Sequence, residues 1–188
     1  MGTGIAIIGS QQAGLEVTTI DLSESALSAA KKFTENLFEK QVAKGALTES
    51  AKEELLSKFK YSSDIQDLKD SDIVIEAVDE NVALKKRIIE DVGRICKDSV
   101  IIASNTSSIS ITKLAAYAPT PENFIGMHFF NPVPLMRLVE VIPGLQTSDE
   151  TLFETKAYNS ASLHISISPY LDIFDSLATA MGKTIVTS

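Results

Sequence analysis

The sequence holds one cysteine, two histidines and no tryptophan among 188 residues. Cys96 alone cannot form an intrachain disulfide, and no Cys or His spacing marks a metal site, so none is expected. Basic residues are outnumbered 17 to 25, for a net charge of −8. That argues against a nucleic-acid surface, because phosphate binding needs clustered Lys and Arg. No apolar run approaches the ~20 residues of a membrane-spanning helix. No basic stretch followed by an apolar one opens the chain, so secretion is not expected. The compartments left open are cytoplasm, mitochondrial matrix and peroxisome. There is no internal repeat and no low-complexity tract.

What is present is ordinary for a globular domain: 44% hydrophobic and 22% charged residues, in a length that can bury a core. Residues 3–13 read as a small apolar helix ended by Gly14, and Leu15–Ile20 as a β-branched strand stopping at Asp21. Ser25 to about Lys44 reads as a long helix, closed by Gly45. A second helix should run through Phe59, capped by Thr48 or by Ser50 in a Ser50-Ala51-Lys52-Glu53 box. Residues 71–78 and 99–104 contain near-continuous apolar runs, the mark of parallel strands covered on both faces. Helices are expected over about 82–95 and 110–118, and strands over 124–128 and 137–142. Beyond Thr151 the pattern weakens. Helix is expected at 156–158 and 172–181, an extended segment at 163–167 and a short strand at 183–186. Strands alternating with helices predict an α/β fold with a doubly wound, mostly parallel sheet.

Two features point to chemistry. His128 is followed 12 positions later by Glu140, which lies in the apolar run Leu138-Val139-Glu140-Val141-Ile142. Asn131-Pro132-Val133-Pro134 between them reads as a turn, since proline fixes φ and removes amide donors. A strand, a bend and a second strand would bring the two together. A buried carboxylate needs a partner, and an imidazole held at one nitrogen keeps the other free for a proton. Taken alone, the same residues would also suit a core histidine and a surface-pointing glutamate. The second feature is Gly2 at the head of a helix, with Asp21 ending the next strand 19 positions on. That is the second half of a dinucleotide-binding βαβ unit, although Asp21 or Ser23 could equally be a helix cap. Asp21, Asp79-Glu80, Ser104-Asn105 and His128 all follow strands, where open parallel sheets bind ligands.

Met1–Ala6, Val74-Ile75-Glu76-Ala77-Val78, Ser104-Asn105-Thr106-Ser107-Ser108, Gly126–Pro134 and Leu138–Val141 together resemble the NAD-binding domain of L-3-hydroxyacyl-CoA dehydrogenases. The resemblance implies a Rossmann-like fold and oxidation of an (S)-3-hydroxyacyl-CoA to a 3-ketoacyl-CoA in fatty-acid β-oxidation, with NAD taking the hydride. It makes His128 the base, Glu140 its orienting partner and Ser107 a catalytic hydrogen bond to the substrate oxygen. Gly2, Asp21, Glu80, Lys85, Ser107 and Asn131 become cofactor contacts, and Lys44, matching a coenzyme A contact, joins Ser107 in binding the substrate. It implies that residues 1–188 are a fragment of that domain. The first strand and two phosphate-loop glycines would precede Met1, and a helical C-terminal domain carrying the homodimer interface would be absent. The segment at about 159–173 has no counterpart in the family pattern. The alternative reading is a non-catalytic or inactive module derived from such a dehydrogenase.

Overall fold

The structure is a computed structural model. It describes residues 1–136 and 138–157, together with strand backbone at 164–167 and 179–180. The elements run α1 (Gly2–Ala13), β1 (Val17–Ile20), α2 (Glu24–Ala43), α3 (Glu49–Ser57), β2 (Phe59–Ser62), β3 (Ile73–Glu76), α4 (Val82–Ile95), β4 (Ile101–Ser104), α5 (Ile111–Ala115), β5 (Phe124–Phe129), β6 (Leu138–Pro143), α6 (Asp149–Ala157), β7 (His164–Ile167) and β8 (Thr179–Ala180). Short 3₁₀ turns at Ile65–Leu68 and Pro121–Asn123 lead into β3 and β5.

Local chemistry sets the boundaries. Gly14 and Gly45, both at φ 71°, take the left-handed conformation that ends α1 and follows α2. Ser23 caps α2, its hydroxyl accepting from the Ala26 amide, while Asp21 accepts from the Ser23 amide one turn earlier. Thr48, and not Ser50, caps α3 through the Ala51 amide. The α3 helix stops at Ser57, so Phe59 starts a strand and does not end the helix. Pairing with β1 holds this segment extended, and alternate residues then share a face, so the Phe59 and Tyr61 rings stack.

The strands form two sheets. β1 and β2 pair in parallel, and β3-β4-β5-β6-β7-β8 make a six-stranded sheet. Within it β3, β4 and β5 are parallel, β6 runs antiparallel to β5, β7 is parallel to β6 and β8 antiparallel to β7. Thr179–Ala180 are thus extended where helix was expected, because they pair with Ser166–Ile167. The rest of the helix expected at 172–181, the strand expected at 183–186 and most of 159–173 lie outside the described residues.

Side chains alternate across the large sheet. Ile75, Ile101, Ala103, Ile125, Met127, Val139 and Val141 meet Ile5 and Ile8 of α1 on one face. Val74, Ile102 and Phe124 meet Ile89 and Val92 of α4 and Ile111, Leu114 and Ala115 of α5 on the other. Each fully buried side chain of this size contributes roughly 1.5–3 kcal/mol. Helices on both faces of a mostly parallel sheet give the doubly wound, Rossmann-like architecture that the alternation predicts. Among the described residues no helix is long and apolar enough to cross a membrane.

Candidate active site

At the carboxyl ends of β3, β4 and β5 lies an open cleft of about 360 Å³. Asp79 and Glu80 line it from the loop after β3, Asn105 and Ser107 from the loop after β4, His128 and Phe129 from β5, and Met1 from the head of α1. The volume falls within the ~300–1,000 Å³ usual for small-molecule sites.

His128 and Glu140 stand opposite each other in the antiparallel β5–β6 pair. The turn between the strands is fastened by Leu135 and Met136 amides donating to the Pro132 carbonyl, and the Asn131–Pro132 peptide is cis. Directly opposed residues have Cβ atoms ~5 Å apart, within reach of a glutamate. His128 Nδ1 lies 2.7 Å from Glu140 Oε2, with 22% and 17% of the two side chains exposed. The Phe130 ring tilts against the imidazole at 4.7 Å. With Nδ1–H donated to the carboxylate, Nε2 carries the free lone pair. The pair therefore has the parts of an oriented base.

Ser107 is held from below. Its amide and hydroxyl donate to Glu80 Oε1 at 2.7 and 3.2 Å, and the Thr106 hydroxyl donates to both carboxylate oxygens. Burial works against the Glu80 charge, but the Ser107 amide, the Thr106 hydroxyl, Lys85 and the Ser107 hydroxyl outweigh it. Its pKa consequently lies below the ordinary carboxylate value.

The family model for "3-hydroxyacyl-CoA dehydrogenase, NAD binding domain" matches residues 1–164. The chain belongs to this family. A probable 3-hydroxybutyryl-CoA dehydrogenase from Deinococcus radiodurans is 47% identical over 151 residues, 80% of this chain and 54% of that protein. The fatty acid oxidation complex subunit alpha of Shewanella baltica is 41% identical over 84% of this chain but 22% of its own length. Among solved structures, (S)-3-hydroxybutyryl-CoA dehydrogenase from Ralstonia eutropha superposes with a TM-score of 0.81 at 44% identity, covering 90% of this chain and 61% of that one. The chain thus spans about half the length of the first of these relatives.

In a member of this NAD-binding family the cofactor fits the head of α1. That helix has no side-chain cap and no acid in its first turn, and Met1 brings its start to the cleft. Free helix amides and their dipole suit a pyrophosphate. Gly2 is buried at this point. Ser107 and Glu80 line the cleft as expected. Asp21, at the end of β1, and Asn131, in the turn after β5, are exposed and lie outside this lining, as does Lys44 at the end of α2. Lys85, expected as a further cofactor contact, is buried beneath the cleft. It shares the buried face of α4 with Ile89 and Val92, has no exposed surface, and spends its ammonium on Glu76. Its Nζ also lies 3.5 Å from Glu80 Oε2, at the edge of the cleft.

Two participants were given no role of their own by the sequence. Asn105 accepts the Phe129 amide at 2.9 Å, beside His128. Glu76, 3% exposed, anchors the floor. Its signal was available: it is a carboxylate inside an apolar strand, the same pattern that singled out Glu140.

Proposed function

We propose that this fold is the NAD-binding part of an (S)-3-hydroxyacyl-CoA dehydrogenase of fatty-acid oxidation. The observation that carries the reading is the His128–Glu140 pair at 2.7 Å, opening onto a cleft shared with Ser107 and the head of α1. Nε2 of His128 takes the proton of the substrate's 3-hydroxyl, and Glu140 stabilises the imidazolium that forms. NAD, when bound, accepts the hydride from the same carbon. Ser107, whose hydroxyl donates to Glu80 without substrate, turns that proton to the substrate oxygen while the substrate's own proton goes to His128. Gly2 and the first amides of α1 hold the pyrophosphate, and Asp21 accepts hydrogen bonds from the adenosine ribose. Asn131 steadies the cofactor near the β5–β6 turn, Glu80 works through Ser107, and Lys44 meets the coenzyme A moiety. The names of the relatives support short 3-hydroxyacyl-CoA thioesters as the substrate class. In its whole form the protein works as a homodimer.

The test is NADH titration of the 188-residue chain, followed by acetoacetyl-CoA reduction read at the NADH absorbance. Saturable NADH binding, and turnover that falls in a His128→Gln variant, are expected. A folded chain that binds no NADH, or His128→Gln turnover equal to the parent's, overturns the proposal.

A further inference from the structure

A fully buried ammonium must place all three of its protons, and Lys85 places them on more than its ion-pair partner. Its Nζ lies 2.8 and 3.0 Å from the two oxygens of Glu76. The same carboxylate also takes the Val78 amide and the Ser104 hydroxyl, each at 2.7 Å, so Glu76 is saturated. Neutralising Glu76 needs nothing further. Yet Nζ also reaches the Val78 carbonyl at 3.3 Å, the Asn105 carbonyl at 3.5 Å and Glu80 Oε2 at 3.5 Å.

Those contacts lead to both sides of the cleft. Glu80 grips Ser107 by amide and hydroxyl. Asn105 grips the Phe129 amide through its side-chain oxygen, one residue from His128. We propose that Lys85 is a positioning residue, fixing Ser107 through Glu80 and His128 through Asn105 and Phe129. The loops after β3 and β4 are thereby set against β5 by one cation on α4. The significance of this arrangement rests on the roles proposed above for Ser107 and His128, but the arrangement itself is measurable without substrate or cofactor.

Lys85→Met alone strands a buried carboxylate and destabilises the whole fold, so the informative variant is Glu76→Gln with Lys85→Met in the 188-residue chain. It removes both charges at nearly constant volume. Hydrogen exchange by NMR would follow the Ser107 and Phe129 amides, with the Ile102 and Val141 amides of β4 and β6 as controls. The expected result is roughly 3- to 10-fold faster exchange at Ser107 and Phe129, the loss of about one hydrogen bond each, with the controls unchanged. Unchanged Ser107 and Phe129 amides would mean that Lys85 only balances Glu76, and would overturn the proposal. The parent chain gives a second measurement that requires no variant to fold. A Lys85 ammonium signal whose protons exchange as fast as those of exposed Lys32 would overturn it equally, and a protected one supports it. Failure in either experiment leaves His128 standing as the proposed base. Failure of NADH-linked turnover leaves both of these readouts intact.

Discussion

His128 and Glu140 are 12 residues apart in sequence and 2.7 Å apart in space, because the β5–β6 register sets them face to face. Replacing Glu140 with Gln keeps the shape of this contact and removes its charge. The imidazole then loses the group that stabilises its protonated form. Turnover of acetoacetyl-CoA should fall in Glu140→Gln, and in His128→Gln it should fall by about 10²–10⁴-fold, the usual worth of a placed base. NADH-linked absorbance measures both, with circular dichroism showing that the fold persists. A Glu140→Gln variant with parental turnover would remove the orienting role.

Glu80 makes a prediction about acid. Burial raises its pKa, but the Ser107 amide and the other donors lower it further, so the folded value lies below the ordinary 4.5. A carboxylate with a depressed folded pKa stabilises the fold above its unfolded pKa. That contribution is lost as pH falls through the folded value. Below pH ~4.5 the parent should therefore lose this share of its stability, whereas Glu80→Gln has none of it to lose. Urea midpoints for the two proteins should differ at pH 7 and converge towards pH 3. A gap that stays constant across this range would contradict the assignment.

How much of this could be read in advance depends on how local the cause is. The β3 and β4 runs, Ile73–Glu76 and Ile101–Ser104, were legible because strands buried on both faces must be continuously apolar. Ser23 and Thr48 were legible as caps for the same reason, since the bonding group lies three residues from its amide. Strand β2 was not. Phe59-Lys60-Tyr61-Ser62 has four residues directly after a helix, and it is extended only because β1 pairs with it. Thr179–Ala180 fails the same way, through pairing with β7. At the site, the His128–Glu140 pair was visible because both lie on one hairpin. Lys85 was named only as a cofactor contact, through the resemblance, and its ion pair was not visible. Its partner Glu76 sits on a preceding strand, and only the packing of α4 on β3 turns that lysine inward.

Gly126 tests the packing that supports β5. A Cβ at this position would sit 2.7 Å from Ile111 Cδ1 and 3.0 Å from Ile142 Cβ. The isoleucine tip on α5 can turn away, but the branched carbon on β6 is fixed by the strand. Gly126→Ala should therefore cost about 1–3 kcal/mol, as overpacking does in a close-packed core. Urea unfolding would show this as a lower midpoint at unchanged slope. A variant as stable as the parent would mean that the β5–β6 pair shifts readily, and with it the His128–Glu140 contact.

The Glu76–Lys85 pair predicts an ordering of stabilities. Both side chains are essentially without solvent, and each is the other's main partner. Removing one charge alone strands the other in the core, which typically costs 3–5 kcal/mol. Removing both replaces a desolvated ion pair with neutral groups of similar size, a change that is often close to neutral. Lys85→Met should thus be strongly destabilised, and adding Glu76→Gln should recover most of the loss. Equilibrium unfolding of the two single variants and the double variant forms a complete cycle. Its coupling energy should have the sign of rescue. If the double variant were as unstable as the sum of the singles, the stabilisation would come from the packing of the lysine stem and the glutamate methylenes. The ion pair would then not be what holds the floor of the cleft.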